Sequence, residues 1–246
     1  MHFLCFRYNK SGKCVRAFDK IDIGKAVTTG RGITMETRYK KIHTAGTNAA
    51  LKVTPGHFAT NHSHINYYLD MTTLKTRASE AQDVAKGMMG TYLYGMVVDT
   101  IVCMEGTEVI GAFLSEELTR SGVLSKNMHK TIYIVRPEFN NNSQIIFRDN
   151  TAPMIKDKHV IILMATVTTG FSVMKAIESV QYYGGKLQGV SAIFSAVHEV
   201  GGVPVHAVFG KKDLPDYVDY DYRECPLCKQ GQKLDALVNA YGYSKL

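Results

Sequence analysis

Residues 159–172, HVIILMATVTTGFS, set two threonines, a glycine and a serine between an apolar run and the helical period of SVMKAIESVQYYG. A strand, a tight turn and a helix in that order leave the first amides of the helix without intrahelical partners, and the helix dipole favours an anion in front of them. Gly170 permits close backbone approach, and the hydroxyls of Thr168, Thr169 and Ser172 can each donate to a phosphate oxygen. The chemistry is phosphate binding by residues 168–172, with Phe171 among them. Capping of the helix by the threonines and serine is the competing reading. A second constellation, Cys225-Pro226-Leu227-Cys228, has the knuckle spacing that brings two thiolates to one metal, which is half of a zinc site. Cys5 and Cys14 would complete a four-cysteine site. Free surface thiols and a redox pair are the other readings, because no second knuckle is present.

The phosphate loop needs a scaffold, and the pattern around it supplies one. Helical periods run through ASEAQDVAKGMMG (78–90), EVIGAFLSEELTR (108–120) and residues 172–184, the last closed by Gly184-Gly185. Apolar runs alternate with them: MVVDTIVCM (96–104), TIYIVR (131–136), SQIIFRD (143–149), HVIILMA (159–165), KLQGVSAIFSA (186–196) and PVHAVFG (204–210). Strands apolar on both faces and separated by helices call for a mainly parallel five-stranded sheet flanked by helices, an α/β fold. In such sheets ligands bind beyond the carboxyl ends of the strands, which singles out the loops after Met104 and Ala165. After the sheet, QKLDALVNAYGY (232–243) reads as an amphipathic helix.

Charge divides the chain. Residues 1–50 carry ten Lys or Arg against three acids, so the whole net charge of +7 resides there. This points to a basic N-terminal extension (1–50), β-rich or partly flexible, ahead of a main domain (51–210) and a C-terminal Cys-x-x-Cys appendage (211–246). A basic surface can meet phosphate-rich partners, and nucleic acid is the lesser reading beside a solvated face. Five cysteines in a chain long enough to bury a full core favour reduced thiols, and with no secretory or spanning signal the expectation is a cytoplasmic protein with no membrane partner.

Residues 160–172 resemble the phosphoribosyl-pyrophosphate (PRPP) motif of type I phosphoribosyltransferases, in which a strand is followed by two acids and then V-I-T-T-G-G-S. PGHFATNHSHINYYLDM (55–71) resembles the opening segment of the orotate phosphoribosyltransferases within that family. VVDTIVCMEGTEVIGAFLSEEL (97–118) is similar to their pyrophosphate-loop strand and helix, and TIYIVRPEF (131–139) stands where their catalytic loop does. The resemblance implies a homodimeric, PRPP-dependent pentosyl transfer to a pyrimidine-type base. Residues 168–172 would take the phosphate of this phosphorylated small molecule, and Met104, Glu105, Gly106 and Thr107 would form the pyrophosphate loop. Phe58, Asn61, His62 and Tyr67 would lie on the base side, and Arg136 and Glu105 would be the catalytic candidates. The departures fall on the chemistry. Met164 and Ala165 replace the acids, Asn61 replaces a lysine, and only Arg136 remains of the loop's cations. A thioether and a methyl offer Mg2+ nothing, so little magnesium dependence is expected. Glu105, Arg148, Asp149, His62 and His64 are the substitutes that could face the cleft. A non-catalytic nucleotide- or PRPP-binding regulatory protein is the alternative function.

Overall fold

The computed structural model describes residues 38–93, 96–120, 127, 131–142 and 144–246. In chain order these form β1 (Lys40–His43), β2 (Ala50–Ala59), β3 (Ser63–Asp70), α1 (Thr72–Thr76), α2 (Ala78–Leu93), β4 (Thr100–Cys103), α3 (Glu108–Arg120) and β5 (Tyr133–Val135). There follow β6 (Glu138–Phe139), β7 (Ile145–Ile146), β8 (His159–Val167), α4 (Phe171–Tyr182), β9 (Lys186–Ser195), β10 (Glu199–Val200) and β11 (Val203–Gly210). The chain ends with β12 (Asp219–Asp221), the short α5 (Pro226–Lys229), β13 (Ala236–Asn239) and β14 (Gly242–Lys245).

The central sheet has the order β10-β11-β9-β8-β4-β5. β11, β9, β8, β4 and β5 run parallel, as the apolar runs require, and β10 adds an antiparallel edge, so the sheet is mixed. Period-two alternation along β8 divides the core. Ile161, Leu163 and Ala165 join Ala81, Val84 and Met88 of α2 and Ile110, Leu114 and Leu118 of α3 on one face. Val160, Ile162 and Met164 join Val173, Ala176, Ile177 and Val180 of α4 on the other. Residues 160–165 of β8 are therefore all apolar, because helices cover both of its faces. One polar pair crosses this core: Tyr92 and Ser191 share a hydrogen bond of 2.6 Å with both side chains buried. Replacing Tyr92 with phenylalanine leaves the serine hydroxyl unsatisfied, and denaturant titration is expected to show about 1–3 kcal/mol lost.

A second sheet has the order β12-β3-β2-β13-β14, with β1 also on β2. It corrects one expectation. Residues 232–243 are not a helix: Ala236 and Val238 are buried while Leu237 is exposed, and the side chain of Asn239 accepts from the amides of Tyr241 and Gly242 to turn β13 into β14. Strand β1 pairs with β2 across residue 50. Residues 219–245 are built into this sheet through β12, β13 and β14.

Candidate functional site

The crossover from β4 leads through α3 to β5 on one side, and the crossover from β8 leads through α4 to β9 on the other. The loops beyond these two neighbouring strands thus flank the point where the winding of the sheet reverses, the usual place for a ligand in an open α/β sheet. A cavity of about 350 Å³ opens there, and residues 165–173 and Glu105 line it from the central sheet. Asn61, His62 and Tyr68 line it from the β2–β3 hairpin, Lys75 from α1, and residues 238–242 from the C-terminal hairpin.

The turn at 168–172 owes its shape to Gly170. Its φ is +82°, a conformation that costs an L side chain energy, and a Cβ would stand 2.9 Å from a methyl of Val200. The carbonyl of Gly170 accepts the first bond of α4, from the amide of Met174, so the amides of Phe171, Ser172 and Val173 lie outside the helical ladder at the cavity. Phe171 is half exposed, with the ring of His62 at 5.2 Å and the ammonium of Lys175 4.5 Å above its face.

Glu105 sits at the end of β4 in the left-handed region, with φ +59°. Its Oε2 accepts from the amides of Ala165 (3.0 Å) and Thr166 (3.2 Å). Burial pushes its carboxyl above the usual range, opposed by those two amides and by the charge of Lys75. Lys75 is itself buried and donates to the carbonyls of Glu105 and Ala240. Desolvation lowers its pKa, with Glu105, Glu108 and Asp70 pulling the other way. The cavity thus has the half-buried carboxyl group of Glu105 and the buried amino group of Lys75 among its lining.

Of the residues singled out in the sequence, Thr168, Thr169, Gly170, Phe171, Ser172, Glu105, Asn61 and His62 come together at the cavity. Others do not. Met104 is buried in the core, and Thr107 donates to the carbonyls of Met104 and Leu163, tying the loop to β8. Gly106 turns the loop at φ +79°. Phe58 is fully buried in the core and Tyr67 packs against that core, so neither reaches the cavity, whose aromatic residue on β3 is Tyr68. Arg136 lies outside the lining, exposed and 3.4 Å from Glu108, while Arg148 pairs with Glu138 on the surface. Cys225 and Cys228 lie beside His57 and His64, which removes His64 from the cleft. Cys5 and Cys14 fall outside the described residues. Sequence reasoning missed Lys75 and residues 238–242. The lysine stands in a five-residue helix with no motif around it, and the hairpin arrives from far along the chain.

No family model matches the chain. Orotate phosphoribosyltransferase of Thermus thermophilus is 41% identical over 71 residues, which are 28% of this chain and 37% of that protein. The chain therefore matches little more than a third of the length of that curated relative. Among solved structures, Leishmania donovani UMP synthase is 18% identical, covering 66% of this chain and 34% of that one with a TM-score of 0.49. Orotate phosphoribosyltransferase from Aeropyrum pernix is 19% identical, covering 73% of this chain and 92% of that one with a TM-score of 0.47.

Proposed function

The chain is related in sequence to the orotate phosphoribosyltransferases over part of its length, and we propose that its cavity binds a 5′-phosphorylated ribose ligand, PRPP or a nucleoside monophosphate. The observation that carries this reading is the left-handed Gly170 at the start of α4, which leaves the first helix amides outside the helical ladder among residues 168–172, all of which line a cavity of about 350 Å³. A phosphate there meets several donors and the positive end of the helix dipole. The ribose then extends toward Glu105, a carboxylate from the β4 loop that serves in place of the acids absent at 164 and 165.

Pentosyl transfer from PRPP would need cations at the departing pyrophosphate. Lys75 is the one Lys or Arg in the cavity lining among the described residues, and two carbonyls already occupy it. Arg136 lies outside the lining, paired on the surface with Glu108. Each missing charged contact removes about 2–4 kcal/mol of transition-state stabilisation. Binding is therefore the primary activity of the site, and transfer to orotate is expected to be slow.

A thermal-shift series with PRPP, ribose 5-phosphate, UMP and unphosphorylated ribose tests this. A ligand at 100 times its dissociation constant stabilises by about 2.7 kcal/mol. The phosphorylated compounds are expected to raise Tm with little effect of magnesium, and ribose to leave it unchanged. Equal shifts from ribose, or none from any phosphorylated compound, contradict the reading. A shift from PRPP alone, strongly magnesium-dependent and accompanied by brisk consumption of orotate, would replace binding with catalysis as the site's task.

A further inference from the structure

Away from the cavity, His57 on β2, His64 on β3 and the two thiols of the 225–228 knuckle bring four ligand atoms within 4.8 Å of one another. His57 Nε2 lies 3.1 Å from His64 Nδ1, 3.5 Å from Cys225 Sγ and 3.6 Å from Cys228 Sγ, and Cys228 Sγ lies 3.3 Å from His64 Nδ1. A tetrahedral zinc with bonds of about 2.0 Å to nitrogen and about 2.3 Å to sulfur requires edges of about 3.3 Å for N···N and about 3.5 Å for N···S. The observed separations fall within about 0.2 Å of those values. A hydrogen bond from His64 to His57 would explain one of the four approaches. It does not explain why both thiols also converge on His57 Nε2, whose single lone pair cannot serve three donors.

The surroundings prepare His57 for a metal. Its Nδ1 donates to the carbonyl of Gln232 at 2.9 Å, which fixes the tautomer and leaves Nε2 with its lone pair turned to the cluster. The backbone of His57 is tied to the same segment. Its amide donates to Asp235 Oδ2 at 2.9 Å, its carbonyl accepts from the amide of Asp235 at 2.7 Å, and Arg38 holds the other carboxylate oxygen at 2.8 Å. The knuckle is closed by bonds from the amides of Lys229 to Cys225 and of Gly231 to Cys228, with Gly231 at φ +73°. His57 and Cys225 are fully buried while Cys228 is exposed, so the cluster has a buried base and an open rim through which a cation can arrive.

We infer that His57, His64, Cys225 and Cys228 form a structural zinc site that fastens the C-terminal segment to the β2–β3 hairpin. Two thiolates with two imidazoles in a tetrahedron select zinc among the common divalent ions, and four protein ligands leave no open position for catalysis. The clip joins residues more than 160 positions apart, at the root of the hairpin whose residues 238–242 wall the cavity. Its expected work is to hold that wall in place.

The test is metal analysis of the full chain after zinc-replete expression, with cobalt substitution as a second readout. One zinc per chain is expected. The cobalt form should show the strong visible bands of a tetrahedral ion and a thiolate charge-transfer band. Cys228→Ser and His64→Asn, both at the accessible rim, should weaken zinc binding by at least ~100-fold, and a Cys5→Ser, Cys14→Ser double variant should keep the full complement. A wild-type chain that retains no stoichiometric zinc and gives no tetrahedral cobalt spectrum overturns the site, whatever the variants do. Loss of zinc in the Cys5, Cys14 variant, or its retention in both rim variants, overturns this set of ligands.

Discussion

Gly170→Ala is expected to lower the affinity for ribose 5-phosphate by about 100-fold, the equivalent of about 2.7 kcal/mol, in a protein that still folds. Two effects act together. The φ of +82° disfavours any side chain, by about 1 kcal/mol for alanine, and the new Cβ would stand 2.9 and 3.0 Å from the two methyls of Val200. Relief requires the turn to move, and the turn aims the amides of Phe171 and Ser172. Hydrogen bonds to a charged phosphate contribute about 1.5–3 kcal/mol each, so misdirecting even one or two accounts for the loss. Thr169→Ala removes a single hydroxyl and should cost about tenfold or less. Adding Val200→Ala to Gly170→Ala restores space but not the dihedral preference, so titration calorimetry should find a partial recovery. Unchanged affinity in Gly170→Ala would show that the turn does not hold the phosphate.

Replacement of Glu105 should separate two roles according to what replaces it. Glu105→Ala leaves the amides of Ala165 and Thr166 without their acceptor. Each donor left without an acceptor is expected to cost about 1–3 kcal/mol of stability. Glu105→Gln retains an acceptor oxygen for the two amides and drops the charge, so the fold should survive. Affinity for ribose 5-phosphate should nevertheless fall about tenfold, because a neutral amide accepts from ribose hydroxyls more weakly than a carboxylate. The pH dependence has a definite sign. Folding raises the pKa of Glu105 above its unfolded value near 4.5. Its contribution to stability is therefore fully present below that unfolded value and is lost as pH rises through the folded one. Relative to Glu105→Gln, which mimics the protonated carboxyl and does not titrate, the natural protein should lose stability as pH rises from acid toward neutral, which denaturant titrations across the range will show. Restoring the acid at 164 is no substitute, since Met164 is buried within the apolar cluster under α4 and a carboxylate there would have no partner.

The central sheet was legible because its signals are local. The apolar run of β8, the glycine turn and the helical period after it follow one another without interruption, and the period of 108–120 matched α3 residue for residue. The second sheet was not, because β13 pairs with β2 through Ala236↔Phe58, and nothing near either residue announces the other. Residues 232–243 misled because Leu234, Leu237, Val238 and Tyr241 fall at helical spacing, whereas the side chain of Asn239 enforces a turn that the apolar period does not report. Phe58 was assigned to the base side by the resemblance alone, and the structure buries it in the core. The pairing of β2 with β3 slips between Pro55 and Phe58, and an irregularity there changes which side chains face the core. The knuckle disclosed two sulfurs, while its neighbours His57 and His64 stand on a different hairpin and meet it only through tertiary structure.

The most direct test of the phosphate site is a crystal structure with ribose 5-phosphate. The phosphate oxygens are expected about 3 Å from the amides of Phe171 and Ser172, with the ribose hydroxyls turned toward Glu105. A phosphate bound elsewhere, for example on the basic residues of the first fifty positions, with residues 168–172 free of ligand, would contradict the account.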